Sequence, residues 1–145
     1  NPEQMRRLRQ DPRLLRTAPD EFVRWGNPVT HLLRTALADV ELGGKTIRKG
    51  DWTVSWIASG NRDESVFAAP FSFDVGRSPN PQIGFGFGPH FCLGAFLARL
   101  EIQVMLECLL DQVDEIEPSG EPHLVSSIQF CGFKSMPVRL AFKES

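Results

Sequence analysis

The sequence predicts an α+β fold, mainly α, in which small β-sheets accompany one long helix that follows a cysteine loop. Three observations carry that expectation. Residues 93–112 are apolar around the whole helical circumference: Leu93, Leu97, Leu100 and Val104 form one stripe, and Phe96, Ile102, Leu106, Leu109 and Leu110 fill the other faces. Val40 and Leu42 alternate with Asp39 and Glu41, and Trp52, Val54 and Trp56 alternate with Thr53 and Ser55, which is the two-residue period of half-buried strands. Directly before the long helix, Phe85-Gly86-Phe87-Gly88-Pro89-His90-Phe91-Cys92-Leu93-Gly94 places one cysteine in a glycine-punctuated loop.

Along the chain, residues 4–15 read as a charged, Arg-rich helix that Asp11-Pro12 breaks or restarts. Thr17-Ala18-Pro19-Asp20 has the form of a capping box with Pro in the first turn, opening a short helix through Trp25. Gly26 is suited to end that helix in a left-handed conformation, and Pro28 forbids its resumption. After Val40 and Leu42, Gly43-Gly44 supplies a hairpin turn, Thr46-Ile47-Arg48 returns, and Lys49-Gly50 turns again. Residues 67–83 contain Pro70, Pro79 and Pro81 and no period, which predicts a long ordered loop of the kind that usually has a function. A helix as apolar as 93–112 is expected to be mostly buried. After Pro118-Ser119-Gly120, residues 124–133 and 137–142 read as strands and a hairpin.

Length and composition bound the function. At 145 residues the chain is long enough for one domain with a core. It is 41% hydrophobic and 23% charged, as globular proteins are, and its net charge of −2 speaks against nucleic acid or an anionic membrane surface as partner. No apolar run approaches the ~18 residues of a membrane span. There is no signal-peptide pattern, and Asn1-Pro2-Glu3-Gln4 carries no initiator Met, so the chain reads as part of something longer. Cys92, Cys108 and Cys131 are odd in number and lack a CxxC spacing, which argues against a disulfide framework or a zinc site and for the reducing cytoplasm. Cys108 and Cys131 are expected to be packed thiols.

Cys92 differs from both by its setting. Thiolate is the form of cysteine that ligates metal. A helix starting near Leu93 aims its free N–H groups and positive dipole end back at the sulfur. Gly86 and Gly88 let the backbone turn tightly and approach a flat ligand. Phe85-x-x-Gly88-x-x-x-Cys92-x-Gly94 resembles the haem-binding signature of the cytochrome P450 monooxygenases, a match expected by chance in on the order of one in a few thousand chains of this length. The resemblance implies the C-terminal part of the P450 fold: residues 1–145 as the haem-binding portion of a single domain from a soluble bacterial-type member, roughly its last third.

What the resemblance implies for individual residues follows. Cys92 is the axial thiolate to the iron of haem b (iron protoporphyrin IX), the ligand type associated with O–O cleavage. Phe85, Gly86, Gly88 and Gly94 shape the haem-binding loop, and Arg34 and His90 reach the propionates. Glu21-Phe22-Val23-Arg24 is similar to the family's Glu-x-x-Arg pair, whose i, i+3 spacing puts both side chains on one helix face. Glu3-Gln4-Met5-Arg6 has the same spacing but is expected to be a surface pair. Phe71-x-Phe73-Asp74-x-x-Arg77 resembles the segment that supplies a second Arg, so Glu21, Arg24 and Arg77 are expected to form one buried structural network. Asn61-Arg62-Asp63 matches a recurrent family string but receives no chemistry. Gln82 stands where many bacterial members have His, which puts the local loop contacts in question. Val29, Leu32, Ile128 and Phe130 are candidates to face substrate, with plain core packing as the competing reading.

The function implied is insertion of one oxygen atom from O2 into an apolar small molecule, a sterol or lipid by the tone of residues 33–100, with electrons from a ferredoxin-type donor. No Gly-x-[Asp/Glu]-Thr string of the family's distal helix occurs in the chain. The alternative is therefore a haem-binding or structural fragment with no turnover of its own.

Overall fold

The computed structural model describes residues 1–144. Helix α1 (Pro2–Gln10) stops where Pro12 cannot continue it. The Asp11 carboxylate accepts the Arg13 N–H at 3.1 Å and starts a 3₁₀ turn, Pro12–Arg16. Helix α2 (Ala18–Gly26) follows Thr17, but not by the expected capping box: the Thr17 hydroxyl donates instead to the Leu14 and Val75 carbonyls, at 3.1 and 2.7 Å. Gly26 is also not the left-handed residue. It stays helical, and Asn27 takes φ +43°, a conformation open to Asn because its short polar side chain bonds locally, here to the Arg24 carbonyl at 2.9 Å.

Four two-stranded antiparallel sheets follow. Strand β1 (His31–Thr35) pairs with β4 (Trp52–Trp56), and β2 (Val40–Leu42) pairs with β3 (Lys45–Ile47) across Gly43 and Gly44, both at positive φ as a tight hairpin requires. After the short helix α3 (Ile57–Gly60), residues 61–87 contain neither helix nor strand. A 3₁₀ turn (Gly88–His90) precedes α4 (Ala95–Gln112). Strand β5 (Val113–Pro118) pairs with β8 (Val138–Phe142), and β6 (His123–Leu124) with β7 (Phe133–Ser135).

Two apolar clusters join the helices. Leu8, Leu15, Ala18, Val75 and Leu106 pack α1, the first 3₁₀ turn and the long loop against α4. Val23, Phe85 and Ala95 pack α2 and the cysteine loop against the start of α4. These clusters cover only part of α4. Contrary to the expected burial, only Ala95 and Leu106 of this helix are buried, while Leu93 is 100% and Phe96 82% exposed. Its apolar circumference exceeds what α2 and the first turn can cover. Trp52 and Trp56 are likewise exposed rather than half-buried, because the β1–β4 sheet has two strands and nothing stacked on that face. Cys108 and Cys131 are exposed, not packed.

The long loop is fastened to α1 through Asp74. Arg7 Nη1 donates to Asp74 Oδ1 at 2.7 Å and to Gln4 Oε1 at 3.0 Å, and Gln4 Oε1 accepts the Val75 N–H at 3.1 Å. Burial pushes the Asp74 carboxyl up, but the Arg7 hydrogen bond, the Gly76 N–H and the charges of Arg7 and Arg77 together hold it below its ordinary 3.8. A depressed carboxyl stabilises the fold above its ordinary range and stops doing so as pH falls through the folded-state value. Both partners are more than a third exposed, so solvent screening limits the effect. Asp74→Asn is expected to cost roughly 0.2–1 kcal/mol at neutral pH. Urea midpoints of the two proteins should converge as pH drops below 3.8, where wild-type Asp74 also loses its charge.

Candidate functional site

The most densely bonded group in the chain is a buried charge cluster beneath the cysteine loop. Glu21 and Arg24 lie one helical turn apart on α2 with both side chains fully buried. The guanidinium meets the carboxylate as a fork: Arg24 Nε donates to Oε2 at 2.7 Å and Nη2 to Oε1 at 2.8 Å. Arg77 Nε donates to Oε2 at 3.1 Å, Asn80 Nδ2 to Oε2 at 3.2 Å, and the Asp74 N–H to Oε1 at 2.8 Å. Two cations thus face one carboxylate. Backbone carbonyls of the long loop complete their coordination: Arg24 donates to Asn61 and Pro70 at 2.8 Å and to Ser72 at 2.9 Å, and Arg77 donates to Ala68, Ala69 and Ser72 at 2.7, 3.2 and 3.0 Å. Ala69 sits at φ +47°, a strained conformation for a residue with a Cβ, at the point where Arg77 takes its carbonyl. Glu3 and Arg6, the other pair with this spacing, are bonded to each other but exposed.

Asn61 carries this order to the cysteine loop. It is fully buried; Nδ2 donates to Asn27 Oδ1 and Oδ1 accepts the Ile83 N–H, both at 2.8 Å. From Ile83 the chain turns through Gly86, whose N–H donates to the Ile83 carbonyl at 2.9 Å. Gly86 at φ +77° and Gly88 at φ +74° occupy the left-handed region that glycine enters freely. The Cys92 N–H donates back to the Phe85 carbonyl at 2.9 Å and closes the loop. The Cys92 carbonyl then accepts the Ala95 N–H at 3.2 Å, joining the loop to the first turn of α4. Gly94 has an ordinary φ of −85°, and a Cβ there would touch only Cys92 Sγ, at 4.0 Å.

This closure sets Cys92 at the edge of a cleft of about 370 Å³. Val29, Leu32, Ile57 and Phe85 give it apolar walls, Arg34 and His90 bring two basic side chains, and Gly84 and Gly86, on either side of Phe85, line it with backbone alone. Cys92 is itself exposed. Among the described residues no three His, Cys, Asp or Glu converge as a metal-binding group.

A family model described as Cytochrome P450 matches residues 4–133. The chain belongs to the cytochrome P450 family. It is 45% identical over 139 residues to "Cytochrome P450-terp" of Pseudomonas sp and 44% identical over 142 residues to "Linalool 8-monooxygenase" of Pseudomonas putida. These alignments cover 96% and 98% of this chain but 32% and 35% of the relatives, so it spans about a third of their length. Among solved structures, P450BioI bound to an acyl carrier protein ligated with hexadec-9Z-enoic acid superposes with a TM-score of 0.93 at 37% identity, over 97% of this chain and 37% of that one. The α+β arrangement is therefore that of part of the P450 fold.

Membership in the P450 family implies haem, and the cleft fits it: one exposed thiol, two glycines lining the cleft with backbone alone, apolar walls, and basic side chains for carboxylates. The structure brings Val29, Leu32, Arg34, Phe85, Gly86, His90 and Cys92 together there. It does not bring in Ile128 or Phe130, both exposed; Phe130 reaches the cleft only through a backbone bridge to Val29. Arg34 Nη1 turns back to the Leu33 carbonyl at 2.8 Å. Gln82 makes the loop contacts that its identity had put in question, donating to Asp20 Oδ1 at 2.8 Å and accepting the Gly84 N–H at 2.6 Å. Sequence reasoning passed over Asn61 as a loop polar residue and did not single out Asp20 or Arg99. The only available signal for Asn61 was the family string that contains it.

Removing the Glu21 carboxylate strands two cations, one of them fully buried. Glu21→Ala is expected to destabilise the chain by roughly 3–5 kcal/mol, the usual cost of breaking a buried ion pair. Glu3→Ala, at a solvated pair of the same spacing, should stay within about 0.5 kcal/mol in the same denaturation experiment.

Proposed function

We propose that residues 1–145 are the haem-binding portion of a single P450 domain, and that the intact protein is a haem-thiolate monooxygenase inserting one oxygen atom from O2 into an apolar substrate. The observation that carries this reading is the geometry around Cys92: a lone exposed thiol, pinned through its N–H to Phe85, facing an apolar cleft with Arg34 and His90 among its lining residues.

Cys92 would be the only protein ligand to iron. Arg34 and His90 would donate to the propionates, where cationic donors suit carboxylates. Phe85 would lie beside the sulfur, and Gly86, Gly88 and Gly94 would leave room for a flat ring. Haem b supplies, when bound, the activation of dioxygen and the transfer of one of its atoms. Val29 and Leu32 would face the substrate and exclude water from it; Ile128 and Phe130 would extend that surface. The Glu21–Arg24–Arg77 network would act structurally, fixing the loop that presents Cys92. An apolar substrate, a sterol, terpenoid or lipid, is supported by these walls and by the likeness to Linalool 8-monooxygenase and to P450BioI in its complex with an acyl carrier protein ligated with hexadec-9Z-enoic acid. P450 enzymes draw electrons from redox partners, and a ferredoxin-type donor is proposed here. The three free cysteines fit a cytoplasmic setting. Among the described residues no helix is long and apolar enough to cross a membrane.

Cys92→Ser tests the ligand directly. The carbon monoxide difference spectrum of the reduced, haem-loaded chain should show the thiolate-type Soret band in wild type and lose it in the variant; survival of the band overturns the assignment.

The lack of a Gly-x-[Asp/Glu]-Thr string supports a second reading, that these 145 residues alone are a haem-binding or structural piece without useful turnover. Water has free access to an open cleft, which favours release of reduced oxygen over transfer to substrate. Given haem and a reductase, the chain is expected to release peroxide in large excess over hydroxylated product on a panel of terpenes, sterols and fatty acids. Product tightly coupled to electron use would contradict it.

A further inference from the structure

We infer that Arg99, locked by Asp20, is a positioning residue that holds Phe85 and, through the Phe85 carbonyl, the Cys92 loop; its consequence for haem rests on the proposed role of Cys92. Arg99 lies on α4, one turn beyond Ala95. Its guanidinium carbon sits 4.5 Å from the centroid of the Phe85 ring, which is nearer than any other cation–ring approach in the chain's described residues. The same guanidinium is held from below: Nε and Nη2 donate to Asp20 Oδ1 at 3.0 and 2.8 Å. Gln82 Nε2 donates to that same oxygen at 2.8 Å, and Gln82 Oε1 accepts the Gly84 N–H at 2.6 Å.

One carboxylate oxygen on α2 therefore gathers Arg99 of α4 and Gln82, whose own Oε1 holds the Gly84 N–H just before Phe85. Phe85 is buried against Val23 and Ala95, and its carbonyl accepts the Cys92 N–H at 2.9 Å. Guanidinium, ring, carbonyl and cysteine backbone stand in series. A guanidinium that only neutralised Asp20 would not need to lie over a ring. A ring held only by apolar packing would be free to shift with α4. The segment also tolerates no slack: a Cβ at Gly84 would lie 2.6 Å from Val23 Cγ1 and 3.0 Å from Gln82 Oε1. Side chains of Asp20 and Arg99 are 28% and 32% exposed, so the clamp is accessible to substitution without leaving a fully buried charge.

Arg99→Met keeps the length of the side chain and removes both the fork and the charge. In the haem-free chain, amide hydrogen exchange at Cys92 is expected to become roughly tenfold faster, while exchange in the β5–β8 pair stays as in wild type. On loading with haem, the variant should bind roughly tenfold more weakly and lose part of the thiolate-type Soret band of its reduced carbon monoxide complex. Arg99→Lys, which keeps the charge without the planar fork, should fall between the two. In a Phe85→Leu background most of the Arg99→Met effect should vanish, because the cation acts through the ring. Asp20→Asn, nearly the same shape, should reproduce the effects in milder form and serves if Arg99→Met does not fold. Unchanged Cys92 exchange, effects that simply add to those of Phe85→Leu, or faster exchange with unaltered haem binding would each overturn the inference. If wild type takes up no haem through Cys92, the functional reading fails, and the exchange result alone decides whether Arg99 positions the loop.

Discussion

The Glu21 carboxylate, wholly buried, accepts at once from Arg24, Arg77, Asn80 and the Asp74 backbone, and the placement of everything around the cleft depends on it. An isolated carboxylate in such a place would be prohibitively costly. Two guanidiniums offset that cost but bring one positive charge too many, and the excess is met by loop carbonyls from Asn61 to Ser72. This exchange is what orders residues 61–87. A segment with no ladder of its own satisfies only some of its carbonyls by short turns, and the two arginines donate to those of Asn61, Ala68, Ala69, Pro70 and Ser72.

Order then passes outward by hydrogen bonds. Asn61 links Asn27 to Ile83, Gln82 links Asp20 to Gly84, and the Phe85 carbonyl holds the Cys92 N–H. The buried side of the loop is thus held by a dense set of polar contacts, with Asn80 Oδ1 left without a partner, and the side facing the cleft is apolar and accessible. That division suits the proposed site, in which one thiol is held still against a resident flat group while an apolar molecule comes and goes. The same separation leaves the α4 stripe of Leu93, Phe96, Leu97 and Leu100 facing solvent.

Much of this was legible in the residues. The Gly86, Gly88 and Cys92 spacing located the cleft because only glycine enters the left-handed region cheaply, and a turn of this kind before a helix leaves a strong local signature. Gly43-Gly44 located its hairpin for the same reason. The preference for Glu21/Arg24 over Glu3/Arg6 followed from context, a helix opened by Thr17-Ala18-Pro19-Asp20 and followed by a β region. Strand β1, His-Leu-Leu-Arg-Thr, was not read as a strand, since its partner β4 lies far along the chain and its own pattern does not alternate. The long helix was read to its true end at Gln112, but strand β5, Val-Asp-Glu-Ile-Glu-Pro, was not read as a strand, since three acidic residues in six leave no apolar alternation. The burial of α4 was overestimated because apolar content says that a face needs covering, not what covers it. Asn61 and Arg99 escaped because their partners are backbone atoms, a ring and side chains that only the fold brings near.

The account is tested most directly by residue-resolved amide exchange in Glu21→Gln, which keeps the shape of the side chain and removes its charge. If the buried carboxylate organises the loop, protection at Asp74, Arg77, Ile83 and Cys92 should fall together, while the β5–β8 pair, which shares none of these bonds, keeps its own. Protection lost at Asp74 alone, with Ile83 and Cys92 as slow as in wild type, would mean that the cysteine loop stands without the charge cluster beneath it.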